Sequence, residues 1–189
     1  MATADGVRTA TNRVLLRARR PAAAAWLARL RDESRLARPA MEQLQRERLG
    51  ALLAHAATHV PRWRDWFAAA GIDAAAAATP AGFSTLPVTS RADIQHEGAR
   101  LWSDDHATRG SFMNSSGGST GEPVRVRQDR AYADAAHAVK LLWDEWAGYE
   151  TGARKAVVWG SERDLFHGNE TWRGRVARRL RGEQWLNAF

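Results

Sequence analysis

The stretch Asn114-Ser115-Ser116-Gly117-Gly118-Ser119-Thr120-Gly121-Glu122-Pro123-Val124 constrains this chain more than any other feature. So many glycines and hydroxyls in a row cannot continue a helix or a packed strand. Glycine lets the backbone turn its N–H groups toward a common centre and allows close approach by a bulky anion. The hydroxyls of Ser115, Ser116, Ser119 and Thr120 can donate further hydrogen bonds to phosphate oxygens. Pro123 stops a helix from forming and hands the chain to Val124-Arg125-Val126-Arg127, whose apolar/basic alternation predicts a half-buried strand. The segment is not a Walker A loop, because no Gly-Lys-Ser/Thr follows. Its composition alone equally suits a flexible serine/glycine linker. The Thr-Gly-x-Pro ending and the strand after it favour a loop built around a phosphate.

The segments around this loop are helix-rich. Residues 1–37 predict a helical lead-in with Leu15, Leu16, Trp26, Leu27 and Leu30 as its apolar residues. Pro39–Val60 reads as an amphipathic helix carrying Met41, Leu49, Leu52, Ala56 and Val60 on one stripe. Pro61 suits the first turn of a second helix, which Gly71 ends. Ser90 and Asp93 have the spacing of a capping box, a structural device. Asp129–Trp146 predicts a helix with Ala135, Val139, Leu142, Trp143 and Trp146 facing a core. Lys155–Trp159 is β-like, and residues 171–181 form a basic helix. The order helix, glycine loop, strand, helix, strand is that of an α/β layer. Trp185-Leu186-Asn187-Ala188-Phe189 is apolar and uncapped, and reads as an interruption.

A length of 189 residues suits one domain, and 44% hydrophobic content with nine tryptophans is enough for a core. No apolar run approaches the roughly 20 residues of a membrane span. Arg17, Arg19 and Arg20 before Pro21–Ala28 imitate a signal peptide, but Arg29 and Arg31 interrupt the run at once. The cytoplasm is the expected compartment. The absence of cysteine excludes disulfides, thiolate metal sites and a cysteine nucleophile. The net charge of +7 comes from arginine, Lys140 and Lys155 being the only lysines. A polyanionic partner would explain it, but the arginines are spread along the chain, as a solvated arginine-rich surface requires.

At the glycine loop the chain resembles the adenylate-forming superfamily, whose loop has the form Ser-Gly-Ser/Thr-Thr-Gly-x-Pro. Within it, the chain is similar to the phenylacetate–coenzyme A ligase group, including relatives assigned to capsular polysaccharide biosynthesis. His59-Val60-Pro61 with Arg64, Leu86-Pro87 with Asp93-Ile94, and Trp146-Ala147-Gly148 with Gly152 fit that group's successive landmarks. The likeness covers roughly residues 45–189 and implies residues 1–37 as a lead-in and 38–189 as the N-terminal part of the ligase's large α/β domain, an incomplete fold. It further implies that Ser115, Ser116, Gly117, Gly118, Ser119, Thr120 and Gly121 wrap the β- and γ-phosphates of ATP, with Mg2+. A carboxylate would attack the α-phosphate to give an acyl-adenylate, and coenzyme A would take the acyl group. Trp159, Gly160, Phe166 and Gly168 would line the acyl pocket, with His167 between them.

Two departures limit that reading. Glu122 and Val124 flank Pro123 where many members carry a lysine, so Arg125 or Arg127 would have to supply the positive charge. The aromatic-Gly-x-Thr-Glu segment, the ribose-binding aspartate and the catalytic lysine are absent from these 189 residues, which are not expected to turn over alone. No catalytic residue, acid substrate, acceptor or oligomeric state is assigned.

The remaining candidates have plainer readings. His55 and His59 stand at i, i+4, a metal-ligand spacing. No carboxylate lies one turn from either, so no metal is expected. Glu162, Arg163 and Asp164 suit a surface ion-pair cluster. Trp63/Trp66 and Trp143/Trp146 suit a core or groove. On the basic helix, Trp172, Val176 and Leu180 make one narrow apolar stripe. The alternative function is therefore a basic helical module on nucleic acid or an anionic surface, with the glycine/serine stretch as its linker.

Overall fold

A computed structural model describes residues 4–115, 123–159 and 172–187. The chain is helix-rich with four short strands in two small sheets among the described residues. In order, these are helices α1 (Ala4–Arg19), α2 (Pro21–Glu33), α3 (Arg38–His59), α4 (Pro61–Ala70), α5 (Ala74–Ala77), α6 (Pro80–Phe83) and α7 (Arg91–Glu97). A 3-10 turn (Gly98–Leu101) and strands β1 (Phe112–Ser115) and β2 (Arg125–Gln128) follow. Helix α8 (Arg130–Trp146), strand β3 (Lys155–Trp159), helix α9 (Trp172–Arg181) and strand β4 (Glu183–Asn187) complete the order. No helix among the described residues is long and apolar enough to cross a membrane.

The fold divides into two compact units, one made of residues 1–31 with 134–189 and the other of residues 32–133.

In the unit of residues 32–133, local chemistry sets the helix ends. Pro39 stands in the first turn of α3 and Pro61 opens α4, where a missing N–H leaves no hydrogen bond unmade. Gly71 adopts φ 63° and ends α4 in the left-handed region. Asp73 caps α5, Thr79 caps α6, and Ser90 with Asp93 forms the reciprocal capping box of α7. The core joins Leu53, Phe67 and Ala77, with Trp63 and Trp66 packed against them edge to face. On α3 the expected Val60 is buried and Leu49 packs on the core, but Leu53 is buried in place of Leu52, which is 63% exposed. Two adjacent leucines cannot share one face, and the arrival of Phe67 selects Leu53.

In the other unit, Leu27 of α2 meets Ala138, Leu141 and Leu142 of α8, flanked by Leu16, Trp26 and Leu30. Here the expected stripe holds at Leu142 but not at its two tryptophans. Trp143 and Trp146 are 62% and 65% exposed, while Ala138 and Leu141 take the inner positions. Asn12 is buried on α1, where its Nδ2 donates to the carbonyls of Arg8 (2.9 Å) and Leu180 (2.7 Å). Gly152 has φ 102°, and a side chain there would meet the Arg8 carbonyl oxygen at 2.9 Å. Only glycine fits that close approach.

The strand pairing differs from a simple layer. β1 and β2 are antiparallel, with Ser115 opposite Arg125 and Phe112 opposite Gln128. β3 pairs in parallel with β4, Val157 opposite Trp185 and Val158 opposite Leu186. The predicted strand-helix-strand order (β2, α8, β3) is present, but its two strands lie in different sheets. The parallel pair comes instead from β3 and β4, with α9 between them in the chain. Trp185, Leu186 and Asn187 lie in β4.

Candidate functional site

The glycine/serine segment springs from the β1–β2 pair. Ser115 is the last residue of β1 and Arg125 the first of β2, facing each other in register. Asn114 steadies this base: its Oδ1 accepts from the Ser115 N–H at 2.8 Å and its Nδ2 donates to Gln128 Oε1 at 3.0 Å. Of the expected phosphate-binding residues, Ser115 is described and exposed. Ser116, Gly117, Gly118, Ser119, Thr120 and Gly121 lie outside the described residues. So do Gly160, Phe166, His167 and Gly168, together with Glu162, Arg163 and Asp164. Trp159 ends β3, paired with Asn187.

The two arginines of β2 separate clearly. Arg125 is exposed at the base of the loop, opposite Ser115. Arg127 is turned the other way. Its guanidinium lies 4.7 Å from the centre of the Trp102 ring, and its Nη1 donates to Ser111 Oγ at 3.1 Å. Arg127 Nε is buried without a hydrogen-bond partner. The expected alternation of β2 is reversed as a result, with Val126 exposed and Arg127 half-buried. Arg127 is held inward by Trp102 and Ser111. Of the two, Arg125 is the exposed one, opposite Ser115.

Beneath the strand pair, a cavity of about 200 Å³ is lined by His55, Trp102, Ser103, His106, Arg127 and Asp129, among others. Arg109 ties its wall, donating from Nε to Asp105 Oδ2 (2.8 Å) and from Nη1 to Asp129 Oδ2 (2.9 Å). Asp129 also accepts from the Tyr132 N–H at 2.7 Å, which caps α8.

A second cluster adjoins this cavity at the C-terminal end of α3. The Asp104 N–H donates to the His59 carbonyl at 2.8 Å, which satisfies a carbonyl left open at the helix end. That bond holds Ser103, Asp104 and Asp105 against the last turns of α3. His59 Nδ1 is 2.8 Å from Asp104 Oδ1, and His55 Nε2 is 3.1 Å from Ser103 Oγ. Ser103 donates its own proton to Asp105 Oδ1, so it accepts from His55. The His55 and His59 rings stand 4.7 Å apart between centroids. Hydrogen bonds from Ser103 and then Arg109 hold the Asp105 carboxyl at about 2, below the usual 3.8. The hydrogen bond with His59 lowers that of Asp104. One ligand atom each from His55, His59 and Asp105 falls within 4.8 Å of the others.

The absence of a carboxylate one turn from His55 or His59 holds for α3 taken alone. Asp105 reaches the pair from the segment after the 3-10 turn, by tertiary packing. The signal that could have raised it is the run Ser103-Asp104-Asp105-His106, dense in polar ligands and adjacent to a turn.

The larger cavity of about 770 Å³ lies in the unit of residues 1–31 and 134–189, bounded by α1, α2 and the end of α8. Its charged walls pair with each other, Arg31 with Glu145 and Arg13 with Glu150. Arg17, also on the lining, leaves the walls one positive charge in excess. Compared with known proteins, the chain matches no family model and no curated relative.

Proposed function

We propose that this chain is the N-terminal portion of an ATP-dependent, AMP-forming acyl ligase of the cytoplasm, its glycine/serine segment holding the β- and γ-phosphates of ATP. One observation carries the reading. The strand pairing of Ser115 with Arg125 holds the two described flanks of the segment side by side, as an anion-holding loop requires. A trailing linker needs no such base. The exposed Arg125 at that base supports the fit of an anion, offsetting Glu122 beside Pro123.

The parallel β3–β4 pair supports the rest of the reading. Parallel sheets belong to domains that cover both faces, yet Val158 and Leu186, side by side in register, are 63% and 44% exposed. A larger α/β domain would cover them. Within such an enzyme this chain's residues act by position. Loop amides and hydroxyls with Arg125 hold the leaving pyrophosphate and stabilise its charge. Bound Mg2+ would supply further charge neutralisation, and coenzyme A is the expected acyl acceptor for a small carboxylate substrate.

A second reading, a basic helical module on nucleic acid or an anionic surface, is favoured by α9. Its Trp172, Val176 and Leu180 are exposed beside exposed Arg175 and Arg179. One experiment separates the two. The full chain is digested by a low level of protease and cuts within residues 115–121 are timed by mass spectrometry. Mg-ATP and pyrophosphate are expected to slow those cuts and AMP to leave them unchanged. Equal rates with and without millimolar ATP, together with polyanion binding that falls steeply with salt, would replace the ligase reading by the second.

A further inference from the structure

We propose that His55, His59 and Asp105 form a binding site for one divalent transition-metal ion of the zinc type. The proposal is independent of the ligase reading, since none of these residues belongs to the glycine loop.

The donor set is the first argument. Two imidazoles and one carboxylate are borderline ligands that suit Zn2+, and the i, i+4 spacing puts both imidazoles on one face of α3. Their ligand atoms and that of Asp105 lie within 4.8 Å of one another. Around a tetrahedral zinc ion, ligand atoms stand about 3.4 Å apart. Small side-chain rotations close that gap, because His55 Nε2 and Asp105 Oδ1 are already 4.0 Å apart. The metal would replace the proton that His55 Nε2 shares with Ser103. A three-residue set leaves a fourth position open to water.

The surroundings give an independent argument. His59 Nδ1 is held by the Asp104 carboxylate at 2.8 Å, which leaves its Nε2 for a metal. Carboxylate support of the far ring nitrogen is the usual companion of a metal-binding histidine. Asp104 is also fixed by its backbone bond to the His59 carbonyl, so support and ligand are built as one piece. His59 is the last residue of α3, and the C-terminal end of a helix favours a cation. Arg109 engages Asp105 through Oδ2 and leaves Oδ1 facing His55. Because Arg109 is also paired with Asp129, its charge is shared.

The test is calorimetric titration of the full chain with Zn2+, repeated with Co2+ to read the visible absorption of a low-symmetry site. One equivalent is expected to bind, and His55→Gln, His59→Gln and Asp105→Asn each to weaken it at least about tenfold. Asp104→Asn, which keeps every ligand, is expected to weaken it by about tenfold. His96→Gln, on α7 and exposed, serves as the unchanged control. Circular dichroism establishes that each variant is folded, and the near-isosteric Asp105→Asn keeps the test open where a histidine variant unfolds. Absence of saturable binding overturns the proposal, as does an affinity unaltered by Asp105→Asn.

Discussion

In the unit of residues 32–133, the N-terminal ends of α5, α6 and α7 are satisfied by neighbours. Asp73 reaches the Ala76 amide, Thr79 the Gly82 amide and Ser90 the Asp93 amide, each three positions along the chain. In the unit that joins residues 1–31 to 134–189, several polar contacts join distant parts of the chain. Arg8 Nε donates to the Gly152 carbonyl across 144 positions, and Asn12 to Leu180 across 168. Its ion pair between Arg31 and Glu145 spans 114. The first kind of contact forms before the chain has closed any large loop; the second requires the loop entropy to be met first. Polar chemistry in this molecule is therefore local where it shapes helices and distant where it joins the chain's two ends.

The sharpest way to break this comparison is to remove one contact of each kind. Asn12→Ala removes a buried side chain and leaves the Leu180 carbonyl without its donor, at an expected cost of about 1–1.5 kcal/mol. In hydrogen exchange, protection should fall in α1 and α9 while α3 and α4 keep theirs. An equal fall in all four helices would show that the units do not differ in this way. Ser90→Ala removes one half of the α7 capping box and should cost about 1 kcal/mol. Its effect should stay within residues 91–97; spread to the Leu53–Phe67 core would contradict a purely local role.

The smallest effect sharpens the contrast through pH. Burial, helped by Arg20 and Lys140, lowers the pKa of His137 from its ordinary 6.5. A group depressed on folding contributes stability that is complete above its unfolded value and lost as pH falls through the folded one. Stability should thus decline as pH drops through and below about 6.5, and His137→Gln should flatten that decline in denaturation curves. The carboxylates of the other unit point to a lower window. Asp93, held first by its hydrogen bond from Ser90, is also depressed, so its contribution is lost only as pH falls below the carboxylate range. A wild-type curve flat from neutral pH down to that range would remove the distinction.

The helices were legible because their signals are short-range. Pro39, Pro61, Gly71, Ser90 and Asp129 act within four residues of themselves, and α3, α4, α7 and α8 stand where those residues put them. Which face each helix buries was less legible. A stripe on α8 could include Trp143 and Trp146 or Ala138 and Leu141, and only the approach of Leu27 and Leu16 decides between them. Arg127 shows the same limit, because alternation in β2 predicts a basic side chain in solvent and Trp102 draws it inward.

The sites divide along the same line. The glycine loop is visible in sequence because its residues are contiguous, and the pairing of Ser115 with Arg125 adds the base from which it springs. The cluster at the end of α3 is not visible, because Asp105 has no periodic relation to His55 and His59. By itself the sequence determined helix starts and stops and, in outline, the strands Lys155–Trp159 and Arg125–Gln128. Tertiary structure alone decided the buried faces, the pairing of β3 with β4 and the meeting of Asp105 with two histidines. Caps and turns are set by torsions and hydrogen bonds within a few residues, whereas burial and ligand convergence depend on which distant surface arrives.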